Sequence, residues 1–137
     1  MTTSGRGGAA SAGWRRGMAA LLVAVLAAPA AAQSPQPETK PYDDKLTRLA
    51  EILGAVHYLR ELCGSNDGQV WRERMREIMD GEGSSERRRA KLTRSFNNGY
   101  RSYSRTYQSC SPTAQTAISR FLSEGVQLAD GLVKAVP

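Results

Sequence analysis

Apolar residues recur at three- and four-residue steps along most of this chain, and no stretch alternates apolar with polar. That period belongs to helices packed by one face and excludes a sheet-based fold. The row is densest at Leu46, Leu49, Ile52, Leu53, Val56, Leu59 and Leu62. It predicts a first helix that starts at Asp43 or Asp44 after Pro41 and carries a broad buried face, with Gly64 as its C-cap. A turn at "SNDGQ" leads to a second helix over "VWRERMREIMD", with Val70, Trp71, Met75, Ile78 and Met79 on the packed side and two glycines to end it.

Ser84 or Ser85 offers an N-cap for a long third helix reaching about Cys110. Leu92, Phe96, Tyr100, Tyr103, Tyr107 and Cys110 form one continuous stripe along it. Ser111 as N-cap and Pro112 at the first helical position open a fourth helix. It is expected to bury Ala114, Ala117, Ile118, Phe121, Leu122, Gly125, Leu128 and Leu132. The fold class read from this pattern is all-α, a small four-helix bundle or array.

The N-terminal segment reads differently. Arg6, Arg15 and Arg16 form a positive region free of acidic residues, followed by the apolar run "GMAALLVAVLAAPAAA". The run is short for a membrane span and ends in an Ala30–Ala32 cluster, the pattern of a cleavable secretory signal peptide. The expected organisation is a signal peptide over 1–32, a flexible Pro-rich leader over 33–42 and a single helical domain over 43–135, with no stable membrane span after cleavage. Localisation is then the periplasm. From Gln33 onward 16 Lys and Arg face 13 Asp and Glu, so the processed chain is only mildly basic.

"HYLRELCG" holds the only histidine, His57, and the first of two cysteines, Cys63. Within one helix six residues advance about 9 Å and turn about 120°, so the two side chains cannot form a nucleophile–base pair. One His and two Cys without Cys-x-x-Cys spacing give no metal, redox or haem signature, and no cofactor is expected. In an exporting compartment Cys63 and Cys110 most simply make one disulfide. In an up-down-up-down array the first and third helices run parallel, which brings both cysteines to the same end. The polymer estimate puts the worth of closing that loop at about 4 kcal/mol. Glu61, Asp67, Glu73 and Glu77 could supply a carboxylate pair, but nothing fixes two of them across a cleft. The chain reads as a non-enzyme.

Helix three carries a second row opposite its apolar stripe: Arg87, Lys91, Arg94, Arg101 and Arg105, with Asn98 in the gap. Seven basic residues stand against one acid, Glu86, between Ser84 and Cys110. A solvated face and an anion-binding edge both fit this pattern. Export argues against nucleic acid. It leaves anionic lipid, lipopolysaccharide, peptidoglycan or an acidic patch on another envelope protein.

The segments "LAEILGAVHYLR" with Cys63-Gly64, the Trp71 stretch and "FNNGYRSYSRTYQSC" resemble a family of short exported alphaproteobacterial proteins classed only as a domain of unknown function. The resemblance spans about Tyr42 to Leu132, with Val56 where that motif usually has Leu. It implies export and paired cysteines, and it carries no activity across. It draws attention to His57, Tyr58, Arg60, Asn97 and Tyr100 as a candidate motif surface. It also draws attention to Gly99, which costs a helix about 1 kcal/mol against Ala unless something packs closely there. The expected neighbour is helix one near Gly54 or Ala55. The functional expectation is a periplasmic protein that works by binding another envelope protein, or by binding anionic polymers or lipids through helix three.

Overall fold

A computed structural model describes residues 39–135. Among them are four helices and no strand: α1 Asp43–Leu62, α2 Val70–Glu82, α3 Glu86–Thr106 and α4 Pro112–Ala135. The signal peptide expected over 1–32, and most of the leader, lie outside the described residues. The leader's last residues belong to the fold. Tyr42 is buried, and its hydroxyl donates to Glu82 beside the Lys40–Glu82 ion pair. Tyr42 fills a core site and so packs with the helices although it precedes α1.

The helix ends follow local chemistry. Gly64 takes a left-handed φ of 74°, the Ser65 N–H donates to the Arg60 carbonyl and the Gly64 N–H donates to that of Glu61. This is a Schellman stop, which only a glycine enters without strain. Ser85 accepts from the Arg88 N–H at 3.2 Å and opens α3. Ser111 accepts from the Ala114 N–H at 3.2 Å and opens α4, with Pro112 first. α2 runs on through Gly81 to Glu82 and stops at Gly83, later than the sequence pattern suggested.

α3 ends at Thr106, short of Cys110. Tyr107 turns extended, at φ −116° and ψ 116°. Two things draw it out of the helix. The Tyr58 hydroxyl donates to its carbonyl oxygen, and Cys110 must reach Cys63. Pro112 also disfavours a helical Ser111. Cys110 therefore sits in the connection rather than on the stripe. Val70 differs from expectation as well: it is 41% exposed. Five residues before Met75 places it about 140° round the helix from the packed face.

α1 is the axis of the array, and each of the other helices packs against it. The pairs Asp43–Arg88, Gly54–Phe96, Tyr58–Tyr107 and Cys63–Cys110 advance together, so α1 and α3 run parallel. Leu132 packs near Leu46, while Ile118 and Phe121 pack near Val56 and Leu59, so α4 runs antiparallel to α1. Because α1 has neighbours on several sides, it buries residues nearly all round, including Ala50, Ile52, Leu53, Val56 and Leu59. α2 fully buries only Met75.

The α1–α3 contact is made backbone to backbone. A methyl on Gly99 would overlap the Glu51 carbonyl oxygen and lie 3.0 Å from the Ala55 nitrogen. A methyl on Gly54 would overlap the Phe96 carbonyl oxygen and lie 3.0 Å from the Tyr100 nitrogen. The two glycines form a reciprocal pair, and each removes the side chain that would hold the helices apart. The close approach expected of Gly99 near Gly54 and Ala55 is present. Its propensity cost is offset by the van der Waals and Cα–H···O contacts that the short separation allows.

Candidate functional site

Cys63 and Cys110 form a disulfide with a Cα separation of 4.8 Å, which removes both thiols from any nucleophilic or metal-binding role. His57 is 4% exposed, packed by the rings of Phe96 and Tyr100. The Arg72 Nε–H donates to its Nε2 at 2.9 Å. An accepting Nε2 requires the neutral ring. Burial first, and the Arg72 charge second, hold its pKa below the usual value.

The neighbouring motif residues face inward in the same way. Tyr58 meets the edge of Tyr100 at 5.4 Å, and its hydroxyl is spent on the Tyr107 carbonyl. Arg60 forks onto Asp67, which also accepts from the Trp71 indole at 2.8 Å. The Arg60 hydrogen bonds, with that of Trp71, keep the Asp67 carboxyl far below the ordinary range. This knot ties the end of α1 to the start of α2. Asn97 stands apart, exposed on α3. The structure thus brings His57, Tyr58 and Tyr100 into one packed cluster, sets Arg60 in the adjoining knot, and leaves Asn97 outside both.

Of the acids weighed for hydrolysis, Asp67 is held by Arg60, and Glu77 pairs with Arg74 at 2.9 Å on the surface. Among the described residues no group of three or more His, Cys, Asp or Glu side chains is placed to hold a metal. None of the described helices is long and apolar enough to cross a membrane.

The basic residues of α3 divide sharply. Arg88 is buried, its side chain 6% exposed, and bonds Asp43 at 2.6 Å and Glu82 at 3.2 Å. Arg89 reaches the Met79 carbonyl oxygen. Arg87, Lys91, Arg94, Arg101 and Arg105 are exposed, and none has a carboxylate within ion-pair distance among the described residues. The row runs about 27 Å along the helix.

A second surface was not anticipated from the sequence. α2 and α4 flank α1 without close backbone approach to each other, and an apolar groove lies between them. Its floor is Leu49, Ile52, Leu53 and Val56 of α1. Its walls are Trp71 and Ile78 of α2, with the Arg74–Glu77 ion pair at the rim, and Phe121, Leu122, Val126 and Ala129 of α4. The cavity measures about 370 Å³. A second depression of about 470 Å³ shares Leu49, Ile78 and Ala129, and continues it to Tyr42, Leu132 and Val133. Val126 and Val133 at the edge are 62% and 79% exposed. The signal was present in the chain: Leu122, Val126, Ala129 and Val133 step by four, three and four, a second apolar row on α4 beside the one that packs on α1.

The family described as "Protein of unknown function (DUF2385)" matches residues 41–136. No curated protein and no solved structure matches the chain.

Proposed function

Because the chain belongs to that family of proteins of unknown function, we propose a role from its geometry: it is a non-catalytic periplasmic protein that holds an amphipathic helix of another envelope protein in the α2–α4 groove. The observation that carries this reading is the groove itself. Two depressions lie end to end from Tyr42, at the N-cap of α1, to Val56, about 21 Å, or four helical turns. The walls are helices, and the floor offers apolar ridges at helical spacing. A partner helix with anchors at i, i+3, i+4 and i+7 fits such a trough and covers valines that water now touches. The signal-like N-terminal segment and the disulfide support export to an oxidising compartment.

Site-specific photo-crosslinking in cells tests the reading. A photoreactive residue at Val126 should give one adduct, whose peptide maps to an apolar-faced helix of an envelope protein. The same residue at Ser102, on the exposed side of α3, should not, and Leu122→Lys should abolish the adduct. Equal adducts from both positions, or an adduct mapping to an unstructured polar segment, would overturn it. Sequencing of the purified protein should find Gln33 at its N-terminus; a chain retaining residues 1–32 would remove the periplasmic assignment.

A further inference from the structure

We infer that the outer row of α3 is a docking surface for an anionic phospholipid bilayer. Arg87, Lys91, Arg94, Arg101 and Arg105 all project from the face of α3 turned away from α1, and no carboxylate among the described residues lies within ion-pair distance of them, although Asp43 feels the charge of Lys91. The opposite face of the same helix is buried through Leu92, Phe96 and Gly99 against α1, so the row is carried on a helix anchored to the core. Arginines and lysines in this state bind surfaces whose charge is dense and fixed, because clustering raises the local potential and each contact releases counterions.

The shape of the surface selects the bilayer. The row is convex and has no walls to enclose a polymer strand. The aromatic rings that could stack on sugars are turned elsewhere: Tyr100 meets Tyr58, and Tyr103 meets Phe121 at 4.9 Å. A line of five cations about 27 Å long, flanked by the exposed Asn98 and Ser102, meets a plane of phosphates without changing shape. It carries no apolar wedge, so the attachment is peripheral, reversible and sensitive to salt.

This surface is independent of the groove. On α1, Glu51, Gly54 and Ala55 face α3, whereas Leu49, Ile52, Leu53 and Val56 floor the groove about 160° away. A molecule lying on α3 therefore leaves its groove open to solution, and failure of either reading leaves the other standing.

The test is flotation with vesicles, using protein purified as it accumulates in cells. Vesicles of phosphatidylethanolamine with a quarter phosphatidylglycerol should carry the wild type at low salt and release it at high salt. Vesicles of phosphatidylcholine alone should not carry it. Each basic residue near an anionic surface contributes about fivefold, so Arg94→Gln, Arg101→Gln and Arg105→Gln together should weaken binding on the order of a hundredfold. The control Arg76→Gln, Arg120→Gln and Lys134→Gln removes the same net charge from exposed positions outside the row and should bind within a few fold of wild type. Circular dichroism checks that both variants are folded, and the wild-type salt titration needs no variant at all. Wild type that ignores anionic vesicles at low salt, or a control that loses as much as the row variant, overturns the proposal. Sedimentation with lipopolysaccharide or peptidoglycan but not with vesicles also overturns it, and reassigns the row to a polymer.

Discussion

α1 is treated in opposite ways on its two sides. Toward α3 it is closed to backbone contact and pinned at three heights: the Arg88–Asp43 ion pair at one end, the Gly54–Gly99 crossing in the middle and the Cys63–Cys110 bond at the other end. Toward α2 and α4 it is left under-filled, with a groove over Leu49 and Leu53 and exposed valines at the edge. The seam spends every residue on specification, whereas the groove keeps apolar surface available. A small domain has little stability to spare, so rigidity on one side lets the other remain incomplete.

The contrast can be broken most severely at the crossing. Gly99→Leu should cost about 5 kcal/mol or prevent folding. That exceeds the usual overpacking range of about 1–3 kcal/mol, because the obstacle is backbone on both sides. An unchanged melting temperature would contradict the close approach. Replacing Cys63 and Cys110 together by Ala should cost about 4 kcal/mol in urea unfolding by the polymer estimate.

Arg88→Met should cost about 3 kcal/mol, since it leaves two carboxylates without their shared cation. The same site sets the acid limit. Burial pushes Asp43 and Glu82 up, but hydrogen bonds outweigh it and hold both below their usual 3.8 and 4.5: those from Lys40 and then Arg88 to Asp43, and those from Lys40 and Tyr42 to Glu82. Their stabilisation is present above those values and is lost as pH falls through the lower folded ones. His57 acts earlier. Its folded pKa lies below 6.5, so below that pH the unfolded chain takes up a proton that the folded chain refuses, and stability declines. Melting temperature should therefore fall in two stages on acidification, and His57→Gln should remove the upper one.

The smallest effects belong on the groove side and sharpen the comparison. A methyl on Gly125 meets Ile52 at 3.6 Å, ordinary contact, so Gly125→Ala should stabilise α4 by up to about 1 kcal/mol, the reverse of the same change at Gly99. Val133→Lys should stay within about 0.5 kcal/mol of wild type in the free protein while weakening the photo-crosslink from position 126.

The helices and most of their starts were legible because each has a local signature: Asp43 after Pro41, Ser85, Ser111 before Pro112, and Gly64 as a stop. Gly99 was legible for the same reason, since a glycine inside a helix needs a neighbour to explain it. What was not legible depends on tertiary contacts. Tyr107 leaves α3 because Tyr58 and Cys63 draw it away, and no helix propensity at Tyr107 records that. The exposed cationic row could be counted from sequence, yet the loss of Arg88 to the interior needed the positions of Asp43 and Glu82. The groove escaped because the sequence marks which residues are apolar, not whether four helices close around them.

The Cys63–Cys110 bond has a mechanical consequence. It joins the end of α1 to the approach of α4, so a pull applied to the two ends of the chain passes through α1, the sulfur bridge and α4. The intervening 47-residue separation, which contains α2 and α3, lies off the load path. About 160 Å of extended chain is thereby withheld from any stretching force until the bond is reduced. The helix that carries the cations and one of the two helices that wall the groove, α2, both hang from that shielded loop, while the other wall, α4, bears the load.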